Sequence, residues 1–214
     1  MNKNNLILIG AGGHCKSCIE VIEAQDQYQI KGILDLQHKV GETLLGYPII
    51  GTDDDLPSLT KQGYHFFITL GQIKSATARK SLYQKLESLH APIATIISPY
   101  AIVSKHASIA QGTILMHHVK VNASAQIGEN CILNTGCNIE HDVHIGHHCH
   151  ISTQAIINGD VNIADEVFIG SGAIIRNGIS IAASSIIGAG AVLLQNIDEP
   201  GIFVGNPSKR MTHG

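Results

Sequence analysis

A chain of 214 residues with a formal net charge of −3 and a pI near 6.5 suits one large domain or two small ones, and it carries no electrostatic footprint for nucleic acid or an anionic membrane. No apolar run reaches membrane-spanning length, so no membrane partner is expected. Aromatic residues make up only 4% and tryptophan is absent, so the core must be filled by β-branched aliphatics, which favours strands at tight, repeated spacing.

The opening "MNKNNLILIGAGG" imitates a signal peptide, but its apolar part, Leu6 to Ile9, is short and runs into a glycine loop. No targeting is expected. Five cysteines, an odd number, then suggest reduced thiols and a cytoplasmic protein. Leu6-Ile7-Leu8-Ile9 is predicted to be a buried strand, followed by the loop Gly10-Ala11-Gly12-Gly13-His14 and a helix to about Ala24. Cys15 and Cys18 imitate a redox CxxC, yet they share one helical face with Ile19 and Ile22, which favours packing. The segment "IKGILD" predicts a second strand ending at Asp35. Apolar segments follow at Tyr47–Ile50 and His65–Leu70, and an amphipathic helix spans about Ile73 to His90, with Leu82, Leu86 and Leu89 on one face. This alternation predicts a small parallel α/β (Rossmann-like) domain over residues 1–92. Glycines after the first strand let backbone amides approach a phosphate at a helix N-terminus. The pattern Gly10-x-Gly12-x-x-Cys15 lacks its third glycine, and about ninety residues are too few for a dinucleotide fold. A mononucleotide-sized ligand is expected, with Asp35 a candidate for a ribose or base edge.

Residues 93–214 read differently. Every sixth residue from Ile97 to Leu193 is aliphatic, seventeen positions without a miss, and a second filtered position four residues later stays small or β-branched from Ala107 through Cys131, Cys137 and Cys149 to Ala173. A period of six fits neither a helix nor an alternating strand. It predicts a parallel β-helix in which short strands joined by corners stack their inward residues into columns, with Ile139, Ile157 and Ile175 sharing one column. The array resembles the hexapeptide-repeat acyltransferase superfamily, which implies a left-handed prism with three hexads per coil, and trimers with active sites between neighbouring subunits.

The stretch "NIEHDVHIGHHCHI" packs five histidines into ten residues and invites a metal reading. Residues one coil apart, eighteen in sequence, should stack about 4.8 Å from each other. At that spacing His141 meets Ala123 and Gly159, His144 meets Gln126 and Asn162, and His150 meets Ile132 and Phe168. No histidine of the cluster stacks on another, and those a hexad apart lie far beyond the ~2.0–2.1 Å reach of a zinc–nitrogen bond. No metal is expected within one chain. His147 and His148 read as exposed partners of Glu129, Asp165 and Glu166, and His117 and His118 as residues at the same corner positions two coils earlier, facing solvent or a trimer interface. His144, pointing outward, is a weaker candidate for assisting His141. A histidine is the usual proton acceptor in acyl transfer, and its second nitrogen needs an orienting acceptor. Asp142 can meet His141 only at a corner, where positions 141 and 142 of the repeat fall; alternatively it pairs with a histidine across the trimer interface.

Taken together, "LILIGAGGHCKSCIEVIE", "NTGCNIEHDVHIG" and "GAGAVLLQNIDEPGIFVGNPSKRM" resemble nucleotide-sugar acetyltransferases of the bacillosamine/perosamine N-acetyltransferase type, whose layout the sialic acid O-acetyltransferases share. That resemblance implies acetyl-CoA as co-substrate and a UDP-linked amino sugar as acceptor, with the α/β unit gripping the nucleotide. It implies His141 as catalytic base with Asp142 as its partner, and His150, Gly159, Ser171 and Ala189 on the CoA side. Gly12, Gly13, His14, Asp35 and Asn134 fall on the sugar-nucleotide side. O-acetylation of sialic acid, a γ-carbonic-anhydrase-like zinc site between subunits, and a non-catalytic nucleotide-sugar sensor are the rival readings.

Overall fold

The computed structural model describes residues 3–211. They fall into two compact units: residues up to 71 together with 77–97, and residues 72–76 together with 98 onward. The division departs from the expected 92/93 boundary in two ways: 93–97 pack with the first unit, and 72–76 with the second.

The first unit is a five-stranded sheet. Strands β1 (Asn4–Ile9), β2 (Tyr28–Leu34), β3 (Thr43–Leu44), β4 (Tyr47–Gly51) and β5 (His65–Ile68) lie in the order β3-β4-β2-β1-β5, all parallel except the β3–β4 hairpin. Helix α1 (Gly13–Gln25) buries Cys15, Cys18, Ile19, Val21 and Ile22. Both cysteines are free thiols; burial pushes Cys15 up to about 11 and Cys18 higher still, so neither offers a thiolate. Helices α2 (Leu56–Lys61) and α3 (Thr77–Ser88) follow, with Ile7, Ile9, Leu34, Phe66, Tyr83 and Leu86 sharing one core. The helix expected from Ile73 therefore begins four residues later. Ile73 fits a helical period, but it is 66% exposed, in a segment that belongs to the other unit.

The second unit is a three-sided prism. One face stacks 102–103, 120–121, 138–139, 156–157, 174–175 and 192–193; the next stacks 108–109, 126–127, 144–145, 162–163 and 180–181; the third includes 114–115, 132–133, 150–151, 168–169 and 186–187. All these ladders are parallel with an offset of eighteen, so Ile139 pairs Ile157 and Ile157 pairs Ile175, each fully buried. The inward column of β-branched side chains holds the prism together through apolar burial. Truncating one link leaves a void between two coils that cannot collapse on it. Ile157→Ala is expected to cost about 2–4 kcal/mol, read as a thermal midpoint roughly 5–10 °C lower, while Ser108→Ala on an outer face leaves the midpoint unchanged.

The corners are built by one position. Every sixth residue from Gly112 to Gly190 has φ between 52° and 72°. Its occupants include Asn130, Asp142, Asp160, Ser184 and, besides Gly112 and Gly190, three further glycines, residue types that tolerate the left-handed region. Outward residues then distinguish the faces. The first face exposes Ile102 (66%), Ile156 (37%) and Ile174 (39%); the second carries Ser108, Gln126, His144, Asn162 and Ser180; on the third, Ile114, Ile132 and His150 are buried.

Candidate active site

His141 and Asp142 form the turn between the apolar and the polar face. Asp142 has φ 60°, and in that conformation its carboxylate folds back on its neighbour: Oδ2 lies 2.8 Å from His141 Nδ1. Of the two pairings open from sequence, the structure forms the one within the chain. The ring remains 65% exposed. The Asp142 hydrogen bond raises the His141 pKa above the ordinary 6.5, and the charges of Asp142, Glu140 and Asp160 reinforce it. Glu140 is itself anchored, accepting from Asn122 Nδ2 at 2.9 Å and Asn138 Nδ2 at 2.7 Å. One coil on, Gly159 lies beneath the imidazole. A Cβ built there would stand 2.7 Å from Cε1 and 2.8 Å from Nε2 of His141, so the absent side chain is what seats the ring.

A second group occupies the turn between the covered and apolar faces. Asn134 Nδ2 lies 3.4 Å from His150 Nε2, and Asn134 Oδ1 accepts from Thr135 N at 2.8 Å. His150 is buried, edge-on to Phe168 at 5.2 Å, with Nδ1 2.5 Å from the Gln72 carbonyl. Ser171 Oγ pairs Ser152 Oγ at 2.9 Å. Ala189, eighteen residues further on, continues this edge. Within one chain His141, Asp142 and Gly159 come together, as do Asn134 and His150, but the two groups lie on different edges of the prism.

In the α/β unit, Gly12 and Asp35 line a pocket of about 500 Å³ with Leu36, Lys39, Thr52 and Asp53. Burial would push the Asp35 carboxyl up; the amides of Leu36 (2.6 Å) and Ala11 (2.5 Å) and the Lys39 ammonium (3.0 Å) outweigh it and hold it below the usual carboxylate range. Gly12 is the N-cap of α1 and leaves the first amides without a side-chain cap. Gly13 and His14 open that helix, just outside the residues lining the pocket.

Two expectations are corrected. His148 is buried, not exposed: Asn130 Nδ2 meets its Nδ1 at 3.0 Å and Gln72 Nε2 donates to its carbonyl at 2.9 Å. His117 lies on the Ser171 edge of the prism, not the edge of His147, with Nδ1 2.7 Å from Ser98 Oγ. His147 does pair as expected, its Nδ1 accepting from Glu129 N at 3.1 Å and its own amide donating to Asp165 at 2.8 Å. His144 stays exposed on the polar face. Among the described residues no three His, Cys, Asp or Glu side chains gather as metal ligands would. Gln72 and Glu140 were not singled out from sequence. Nothing in the sequence around Gln72 signals its role, whereas Glu140 was readable as the residue eighteen after Asn122 and two after Asn138.

Residues 5–86 match the family model of the PglD N-terminal domain, and residues 124–159 that of the bacterial transferase hexapeptide (six repeats). UDP-N-acetylbacillosamine N-acetyltransferase from Bacillus subtilis is 34% identical over 116 residues, 52% of this chain and 51% of that protein, so the match spans about half of that relative's length. A histidine-to-asparagine variant of perosamine N-acetyltransferase from Caulobacter crescentus, in complex with CoA and GDP-perosamine, has a TM-score of 0.91 at 30% identity, covering 98% of both chains. The acetyltransferase domain of PglB from Neisseria gonorrhoeae, in complex with acetyl coenzyme A, also scores 0.91 at 30% identity, over 98% of this chain and 100% of that one. A prism of hexapeptide repeats places the chain among the hexapeptide-repeat acyltransferases, and the small α/β unit before it is shared with the structures just described. Within that class the chain belongs to the acetyl-CoA-dependent sugar N-acetyltransferases of the bacillosamine and perosamine type.

Proposed function

We propose that this protein is a cytoplasmic homotrimer that moves the acetyl group of acetyl-CoA to the 4-amino group of a UDP-4-amino-4,6-dideoxy-N-acetylhexosamine, in the synthesis of a surface glycan. The observation that carries this reading is the His141–Asp142 pair, an exposed imidazole with one nitrogen held by a carboxylate and the other left toward solvent over Gly159. The amine lone pair attacks the thioester carbon and forms the C–N bond. His141 Nε2 takes the proton, the tetrahedral oxyanion collapses, and the C–S bond breaks. The imidazolium then returns its proton to the departing thiolate, giving CoA and the amide. The uncapped start of α1 and the Asp35 pocket support nucleotide binding by the α/β unit, with amides toward phosphate and Asp35 toward ribose or base.

The exposed isoleucines on the first face of the prism support the trimer. Turning this face of three copies toward a threefold axis removes the exposed Ile102, Ile156 and Ile174 side chains from water, with Lys120 and Asn138 between Ile102 and Ile156 in the same column. It also sets the His141 edge of each copy against the next copy's edge bearing Asn134, His150, Ser171 and Ala189, a closed heterologous ring. CoA would lie in that junction, with Gly159 from one side and Ser171 and Ala189 from the other.

The test is thiol release from acetyl-CoA with UDP- and GDP-linked 4-amino sugars and with free and CMP-linked sialic acid. Acceptor-dependent release with the UDP-amino sugar is expected. Release only with a GDP-sugar would move the nucleotide assignment, and release only with sialic acid would move the reaction to a hydroxyl.

The charge on Asp142 sets a pH signature. The base must be neutral, so turnover is full above the raised His141 pKa and is lost as pH falls through it. Asp142→Asn removes both the hydrogen-bonded charge and the orienting acceptor. Its acid limb should move to lower pH and its plateau should fall by about 10-fold or more. An unmoved limb would separate Asp142 from the proton transfer.

A further inference from the structure

The Ser171 edge of the prism changes character along its length. In the second and third coils beyond Asn134 it carries Ser171, Gly172, Ala189 and Gly190, all exposed. A Cβ built at Gly172 or Gly190 would meet nothing within 4 Å, so this part is a narrow open track, shaped for an extended chain. In the coils before Asn134 the same edge carries rings. Tyr100 and His118 stand eighteen residues apart, their centroids 6.3 Å apart and their planes inclined by 31°. His117 lies edge-on to Tyr100 at 5.4 Å and 6.4 Å from His118. Tyr100 is 61% exposed and His118 is exposed as well, so these rings are held side by side without being buried.

Ser98 fixes the cluster from beneath. The residue is 2% exposed, and its hydroxyl accepts from Tyr100 N at 3.0 Å and lies 2.7 Å from His117 Nδ1. The hydroxyl hydrogen has that nitrogen as its acceptor, so the neutral imidazole carries its own hydrogen on Nε2. The His117 carbonyl accepts from Gly136 N at 3.0 Å, which ties this turn to the one bearing Asn134. A hexose has the matching chemistry: C–H groups on one face for the rings to cover, and oxygens at its rim for an N–H.

We infer that Tyr100, His117 and His118 form a platform for the hexose ring of the acceptor, with His117 Nε2–H directed to a sugar oxygen. The inference rests on the acetyl-transfer reading above and on its intersubunit junction, where this edge faces the His141 edge of the next copy. At about 4.8 Å per coil, His118 lies about 6 Å to one side of His141 along the prism axis and Ser171 about 8 Å to the other. Acceptor and acyl donor then reach the base from opposite ends of the junction. The methyl group of a 6-deoxy sugar adds apolar area for the rings to cover.

Tyr100→Ala and His118→Ala should each raise KM for the nucleotide amino sugar by about 3–10-fold, with kcat within about 2-fold of wild type and KM for acetyl-CoA unchanged. Tyr100→Phe, which keeps the ring, should match wild type. Titration calorimetry without acetyl-CoA should show both alanine variants losing affinity for the nucleotide amino sugar but not for the free nucleotide. Size-exclusion chromatography and thermal midpoints on the same preparations should be unchanged. An unaltered acceptor KM would overturn the platform, as would equal loss of affinity for nucleotide and nucleotide sugar. Dissociation of the assembly in these variants would show that the rings pack against a neighbouring copy instead, and would overturn it too. Wild-type protein that turns over none of the acceptors would overturn the acetyl-transfer reading itself, and the platform with it.

Discussion

His141→Ala should lower kcat by about 10²–10⁴-fold, the usual contribution of a positioned general base, while the assembly and its thermal midpoint persist. The separation is possible because of where the ring sits. Its side chain is 65% exposed and contributes nothing to the inward columns, so removing it opens no cavity and leaves the ladders on either side intact. Steady-state rates with size-exclusion chromatography on the same preparation check both halves. A variant that turns over at near wild-type rate would remove His141 from proton transfer. One that falls apart would show that the edge is structural before it is chemical.

Gly159→Ala should be nearly as damaging to turnover and equally harmless to the fold. The added Cβ would stand 2.7–2.8 Å from His141 Cε1 and Nε2, a separation the two groups cannot keep, and the exposed ring is the partner free to yield. It swings off the position that Asp142 and the coil below define. Because displacement of a reacting group by about 1 Å can cost 10²-fold, kcat should fall about 10–10²-fold with an unchanged thermal midpoint. Crystals of the variant should show the imidazole rotated away from residue 159. Full activity in Gly159→Ala would mean that the seated ring is not the reactive arrangement.

How much of this was legible depends on how far apart in sequence the determinants lie. The inward column was readable because that position accepts only aliphatics, so Ile139, Ile157 and Ile175 declared themselves by a period of six. The His141–Asp142 pair was half legible: the repeat put the two at a corner, but only the positive φ of Asp142 decides that the carboxylate turns back on its own neighbour. A signal for that was present in the Gly, Asn, Asp and Ser that fill most of every sixth position, a looser filter than the aliphatic one because His118, His148, Gln154 and Glu166 share it. The seat beneath the ring followed from the offset of eighteen that pairs 141 with 159. His148 and His150 were not legible in the same way. Asn130 meets the His148 ring at the offset of eighteen, but the bonds to the His148 carbonyl and the His150 ring come from Gln72, 76 and 78 residues away, in a stretch whose apolar Ile73 reads as the start of a helix that in fact begins at Thr77. Local pattern carries no trace of a contact made across such a distance, and position alone made His148 look like a solvated corner residue.

The division of the candidate site between two edges of one prism is what most needs a direct measurement. Co-expression of His141→Ala chains with Asn134→Ala chains in equal amount, each inactive alone, gives mixed trimers in which a junction is intact when His141 comes from one copy and Asn134 from the next. Random assembly makes about a quarter of junctions intact, so acetyl transfer should recover to about a quarter of the wild-type rate. Recovery to no more than the sum of the two inactive proteins would show that each site is built within a single chain or that the edges do not meet, and the intersubunit arrangement would have to be abandoned.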